Sequence, residues 1–86
     1  MAGTQANKIL GPIREAALSQ KTIILEYRDA DGKVTQREAE PYEINDKGLY
    51  AFALNRDAIR LFKIDNIISV RNTGHPFIPR FPIKIT

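Results

Sequence analysis

Few side chains in this 86-residue sequence could make or break bonds. Cysteine is absent, which removes thiolate nucleophiles, thiolate zinc sites and disulfides together. The single histidine, His75, sits between Gly74 and Pro76 with no carboxylate near it in sequence, and reads as a turn residue rather than a base or metal ligand. Ser19 and Ser69 lack the strand–turn–helix context of an activated serine, and the five glycines are too scattered to cradle a phosphate. Glu38, Glu40 and Glu43 cluster along one segment, but acid–base or metal work needs another converging ligand, so they read as a solvated strand face. No catalytic residue, metal or cofactor is expected, and the reading is not an enzyme.

Binding chemistry is better supplied. Tyr27, Tyr50 and Phe52 fall on segments of strand character, and Arg37, Arg60 and Lys63 lie on or beside neighbouring ones. Arginine pairs with phosphate through charge-assisted hydrogen bonds, and aromatic rings stack bases. Tyr27, Arg37, Tyr50, Arg60 and Lys63 are therefore the candidate ligand contacts. Each has an ordinary alternative: strand aromatics fill cores, and Arg37 and Arg60 can pair with Glu26, Glu38 or Asp65.

Charge points to one part of the chain. The total is +3, too slight to name a partner. From residue 56 onward, however, Arg56, Arg60, Lys63, Arg71, Arg80 and Lys84 stand against only Asp57 and Asp65, six minus two, whereas residues 1–55 are nearly neutral. No signal-like apolar region or membrane span is evident, so a soluble cytoplasmic protein with no membrane partner is expected.

These residues need a scaffold of one small domain spanning 1–86. Ile13, Ala16 and Ala17 recur at helical spacing, with Pro12 suited to a first helical position, which predicts a short helix over about 12–20. From Lys21 the period becomes two, predicting a strand that ends near Arg28 and a hairpin turn at Asp29-Ala30-Asp31-Gly32. A second strand over about 33–40 brings either Arg37 or Thr35 opposite Glu26. Pro41 marks an edge, bulge or bend before Tyr42–Ile44. Leu49–Leu54 is apolar on both faces and reads as the central strand. Ala58–Ile64 and a short Ile67–Val70 strand follow. The tail over 76–86 has prolines at 76, 79 and 82, the spacing of a polyproline arm, either packed on its own domain or offered to a partner.

The order Ile23-x-Leu-x-Tyr27, Gly32, Arg37, Pro41, Gly48-Leu-Tyr-Ala, Arg60-x-Phe62-x-Ile64-Asp65-x-Ile67, then Phe77-x-Pro79 and Pro82, resembles the WYL domain of bacterial transcriptional regulators. The resemblance implies a mainly β fold: an Sm-like small β-barrel of about five short antiparallel strands preceded by one N-terminal α-helix. It also implies a sensing role toward single-stranded nucleic acid or a nucleotide-like effector, with Tyr27, Arg37, Tyr50 and Arg60 at the family's ligand positions. Leu49 and Ala51 replace the family's tryptophan and leucine, and Asn66 stands where many members have arginine. The stretch before the barrel has room for one short helix, so the helix-turn-helix reader typical of the family is not expected in it. The competing expectation is a protein-interaction module that docks on a larger regulator or polymerase through a barrel edge or the C-terminal arm, or that self-associates.

Overall fold

Ile9, Ile13, Ala16 and Ala17 form the buried stripe of a single helix, α1 (Ala2–Ser19). The computed structural model describes the backbone of residues 2–85 and the side chains of residues 8–85; Met1 and Thr86 lie outside the described residues. The helix is longer than the expected 12–20 because Pro12 lies inside it rather than at its first position. An internal proline costs a helix about 3 kcal/mol through its missing N–H. Buried Ile9 and Ile13 on either side of Pro12 offset that cost by packing both halves on the sheet. The helix stops at Gln20, whose positive φ of 57° turns the chain while its N–H bonds the Ala17 carbonyl at 3.2 Å.

Five antiparallel strands follow: β1 (Lys21–Arg28), β2 (Val34–Asn45), β3 (Gly48–Ala53), β4 (Ala58–Phe62) and β5 (Ile67–Pro76), with a 3₁₀ turn at Ile64–Asn66. They make one sheet in the order β4-β3-β2-β1-β5. The fold is thus mainly β, as expected, but the ladders leave β4 and β5 with one strand neighbour each and do not close into a barrel. The centre is β2, not Leu49–Leu54, because β1 turns back to pair with β5 and adds a strand beyond the first hairpin. In that hairpin Glu26 faces Gln36, neither of the two expected partners, while Leu25 faces Arg37 and Tyr27 faces Thr35.

The ladder between β2 and β3 shifts at Pro41–Glu43, so β2 continues through its proline as one bulged strand, with Tyr42 as the extra residue. The final strand runs to Pro76 rather than ending near Val70, and His75 lies within it, not in a turn. No helix among the described residues is long and apolar enough to cross a membrane.

Alternation assigns the two faces. Ile23, Leu25, Tyr27, Ala39, Leu49, Ala51, Ala53, Phe62 and Ile67 turn toward α1 and form the core. Three alanines on β2 and β3 leave room for the larger rings and the helix. The opposite face carries Thr22, Glu38, Glu40 and Phe52, and residues 77–85 cross part of it. There Tyr42 stacks edge-on with Phe77 and Phe81, at ring distances of 5.8 and 5.3 Å. Its hydroxyl accepts the Arg80 N–H at 2.9 Å and donates to Glu40 at 2.6 Å. Arg80 closes the cluster, with Nε 3.1 Å from Glu40 and its guanidinium 4.1 Å from the centre of the Phe52 ring. Glu40 is therefore a buried counter-ion, not part of a solvated face. Burial pushes the Tyr42 hydroxyl up to about 12.

The arm ends by bonding the Lys84 N–H to the Tyr42 carbonyl at 2.7 Å and burying Ile85 in the core. Deleting residues 77–86 should accordingly cost about 3 kcal/mol or more, since it uncovers Tyr42, strands Glu40 and empties the Ile85 site. Urea unfolding reads this as a large fall in midpoint; a truncated domain with an unchanged midpoint would show the arm to be ornamental. Gly48, at φ +142°, presents a second constraint, because an added Cβ would overlap the Phe62 carbonyl oxygen. Gly48→Ala is expected to lose about 2 kcal/mol or more in the same assay.

Candidate anion-binding site

Arg37 and Phe62 show how the site is built. Arg37 lies two residues before core Ala39 on β2, so its side chain starts on the core face at the end of the sheet beside the first hairpin. It is 8% exposed. Arg60 lies two residues before core Phe62 on β4 and shares that face. Along the ladders Arg60 is level with Ala51 and Pro41 rather than with Arg37, so the two arginines meet because the sheet curls until β4 reaches β1, with Phe62 packed on Tyr27 at 5.1 Å.

The two guanidiniums converge on Asp29. Its Oδ1 lies 3.5 Å from an Arg37 Nη2 and 3.4 Å from the Arg60 Nη2. This is the pairing actually formed; Glu26, Glu38 and Asp65 do not supply it. Such contacts are longer than the roughly 2.7–2.9 Å of a full-strength charge-assisted hydrogen bond. Three buried polar atoms in this neighbourhood have no hydrogen-bond partner among the described residues: Arg37 Nε, Arg60 Nη1 and Thr35 Oγ1. Two donors and a hydroxyl without partners, next to a net positive charge, fit the oxygens of an anion.

Tyr27 and Phe62 form the floor, packed edge-on at 5.1 Å, and the Arg60 guanidinium lies 5.6 Å from the Phe62 ring centre. The Tyr27 hydroxyl accepts the Lys63 N–H at 3.0 Å, which ties the end of β4 to the end of β1 and places an exposed lysine at the border. Of the five expected contacts, Tyr27, Arg37 and Arg60 thus come together, and Lys63 joins them through its backbone N–H alone. Tyr27 is buried under the arginines rather than presenting its ring to solvent. Tyr50 does not join them: it alternates with core Leu49 and Ala51 and so faces the other side of the sheet.

Sequence reasoning missed Asp29 and Thr35. Asp29 was legible only as a hairpin residue, and nothing in its spacing announces that two arginines from other strands will reach it. A separate surface cleft of about 350 Å³, lined by Asp46, Lys47, Gly48, Lys63, Ile64, Asp65 and Asn66, contains neither arginine. Its lining mixes charges of both signs around a turn, with no convergent set of donors, so the arginine pair is the better candidate.

The WYL domain family matches residues 8–72, well over half of the chain. The chain belongs to the WYL domain family. A solved structure, proteasome accessory factor B/C (PafBC) of Arthrobacter aurescens, is similar in fold, with a TM-score of 0.74 at 22% sequence identity over 95% of this chain. The present WYL chain spans only 14% of that protein's length. A search of curated proteins found no match. Two of this WYL domain's departures become interpretable in the fold: Leu49 and Ala51 are both fully buried, so these naming positions serve the core.

On the opposite face Glu38 accepts a 2.7 Å hydrogen bond from Thr22 and lies 3.2 Å from His75 Nδ1. Thr73 joins the group, 2.6 Å from the Thr22 hydroxyl. His75 has no carboxylate near it in sequence but gains one in the fold because β5 extends past it. The Thr22 hydrogen bond, then His75, holds the Glu38 carboxyl below its usual 4.5. A depressed folded-state value stabilises the domain above the unfolded pKa and loses that contribution as pH falls through the folded one. Thermal melts of Glu38→Gln should therefore fall modestly below wild type at pH 7 and converge on it under acid conditions. A gap independent of pH would mean that packing, not ionisation, carries the effect.

Proposed function

We propose that this WYL domain is a non-enzymatic sensing or regulatory module that binds single-stranded nucleic acid or a nucleotide-like effector. The observation that carries the reading is the Arg37–Arg60 pair, held on one face with partnerless buried donors beside it. Arg37 Nε, Arg60 Nη1 and the Thr35 hydroxyl all lack a partner, and phosphate oxygens are acceptors of the kind these groups would pair with. Lys63, exposed on the adjoining surface, adds positive potential near the site. The roles divide accordingly: Arg37 and Arg60 grip, Lys63 steers, and Tyr27 supports the arginines from beneath.

The regulatory role draws on the family and on the nature of the site. It offers charge and hydrogen-bond donors, and its one carboxylate, Asp29, is shared by both arginines. A protein-docking role retains one specific support, the free edges of β4 and β5, which can each accept another strand. The C-terminal arm favours that role less, because it is packed on its own sheet.

Fluorescence anisotropy with a labelled single-stranded oligonucleotide, together with a thermal-shift panel of nucleotides, tests the proposal. Affinity should drop several-fold between 50 and 200 mM salt, since neutralised phosphates release counter-ions. Arg60→Ala should weaken binding by about tenfold or more while leaving the fold intact, as Arg60 is already 29% exposed. Absence of binding to DNA, RNA and nucleotides alike at low salt would refute it.

A further inference from the structure

The arginine pair carries an internal counter-ion whose position is set by the backbone. Asp29 opens the hairpin between β1 and β2: its N–H bonds the Lys33 carbonyl at 2.8 Å, and its carbonyl accepts the Gly32 N–H at 2.9 Å. Gly32 closes that turn at φ +84°. The carboxylate is thereby delivered to both arginines by turn geometry, and a single oxygen, Oδ1, serves both. It compensates one of two positive charges and leaves the buried Arg37 Nε and Arg60 Nη1 without partners.

We propose that Asp29 is a specificity-determining residue that sets the ligand's charge, tuning the Arg37–Arg60 site to a singly charged phosphodiester rather than a doubly charged terminal phosphate. This rests on the anion-binding reading of the site. Two guanidiniums and one carboxylate leave a net charge of +1, which a diester linkage neutralises. A phosphate monoester dianion would leave the site at −1 in a place where Arg37 is largely shielded from water, and uncompensated charge is disfavoured there. The device explains why a carboxylate stands in a site made for anions: it does not block the site, because its contacts are long and its partners keep other donors, but it removes the second unit of charge. Backbone linkages of a single strand, or an internal diester of a nucleotide, would then be preferred over nucleotide ends.

The test uses the arginine side-chain Nε–H signals in ¹⁵N NMR, with dimethyl phosphate and methyl phosphate as probes at pH 8 and constant ionic strength. Methyl phosphate is then a dianion, its second pKa being about 6. In wild type the Arg37 Nε–H signal should respond at lower concentration to dimethyl phosphate. Asp29→Asn should move the ratio of the two dissociation constants toward methyl phosphate by on the order of tenfold. Asp29→Ser, which also keeps a turn-forming side chain, should do the same, and the dispersion of the amide spectrum reports whether either variant is folded. An arginine signal that responds to both probes with a ratio unchanged by either variant overturns the role of Asp29 and leaves the anion site standing. Arg37 and Arg60 signals that ignore both probes overturn the site itself and this inference with it.

Discussion

A guanidinium on the core face of a middle strand must be compensated, and the way Arg37 is compensated organises one end of this domain. Its neighbours on that face include apolar Ala39 two residues on and Leu25 directly across the ladder. Burial of an arginine there is costly unless a charge and hydrogen bonds answer it. The answer comes from the first hairpin, through Asp29, and is incomplete. Arg60 arrives from the edge strand to share the same oxygen, so two cations depend on one carboxylate. A domain selected only for stability would place an apolar side chain at position 37. The half-compensated arginine is the observation on which the proposed anion-binding role rests.

The rest of the sheet makes that arrangement rigid. Tyr27 and Phe62 lock edge-on beneath the arginines, and the Tyr27 hydroxyl holds the end of β4 through Lys63. Gly48 allows the Phe62 backbone to pass so closely that no side chain fits between them. On the other face a second ionic cluster, buried Glu40 and Tyr42 capped by exposed Arg80, has its charges paired, and it straps the C-terminal arm in place. The two clusters differ in kind. The Arg80 cluster pairs its charges at close range and is structural; the Arg37 cluster leaves donors over and is suited to binding.

Much of this was legible from residue order. Alternation from Lys21 located β1, and the Asp29–Gly32 turn, Pro41 irregularity and Gly48 turn punctuated the chain correctly. Arg37 and Arg60 were named from residue type and strand placement as candidate contacts with internal ion pairing as the alternative, and both do meet a carboxylate, that of Asp29. What stayed hidden depends on tertiary geometry. Pro12 is an inherently poor helix-interior residue, tolerated because Ile9 and Ile13 are buried on both sides of it. The length of β5 rests on pairing with β1 rather than on its own polar sequence, and with it came the Glu38–His75 contact. Glu40 looked like a solvated residue because the arm that buries it lies forty positions away. Tyr50 resembled a binding aromatic, but strand parity turns it from the arginines.

Replacing Arg37 by an apolar residue of similar length separates binding from stability most directly. Arg37→Met leaves Asp29 its contact with Arg60 while removing the buried charge, so urea unfolding should show a midpoint equal to or above that of wild type. A loss of about 3–5 kcal/mol, the usual cost of breaking a buried pair that stabilises its fold, would contradict the account and make the arginine a structural ion pair.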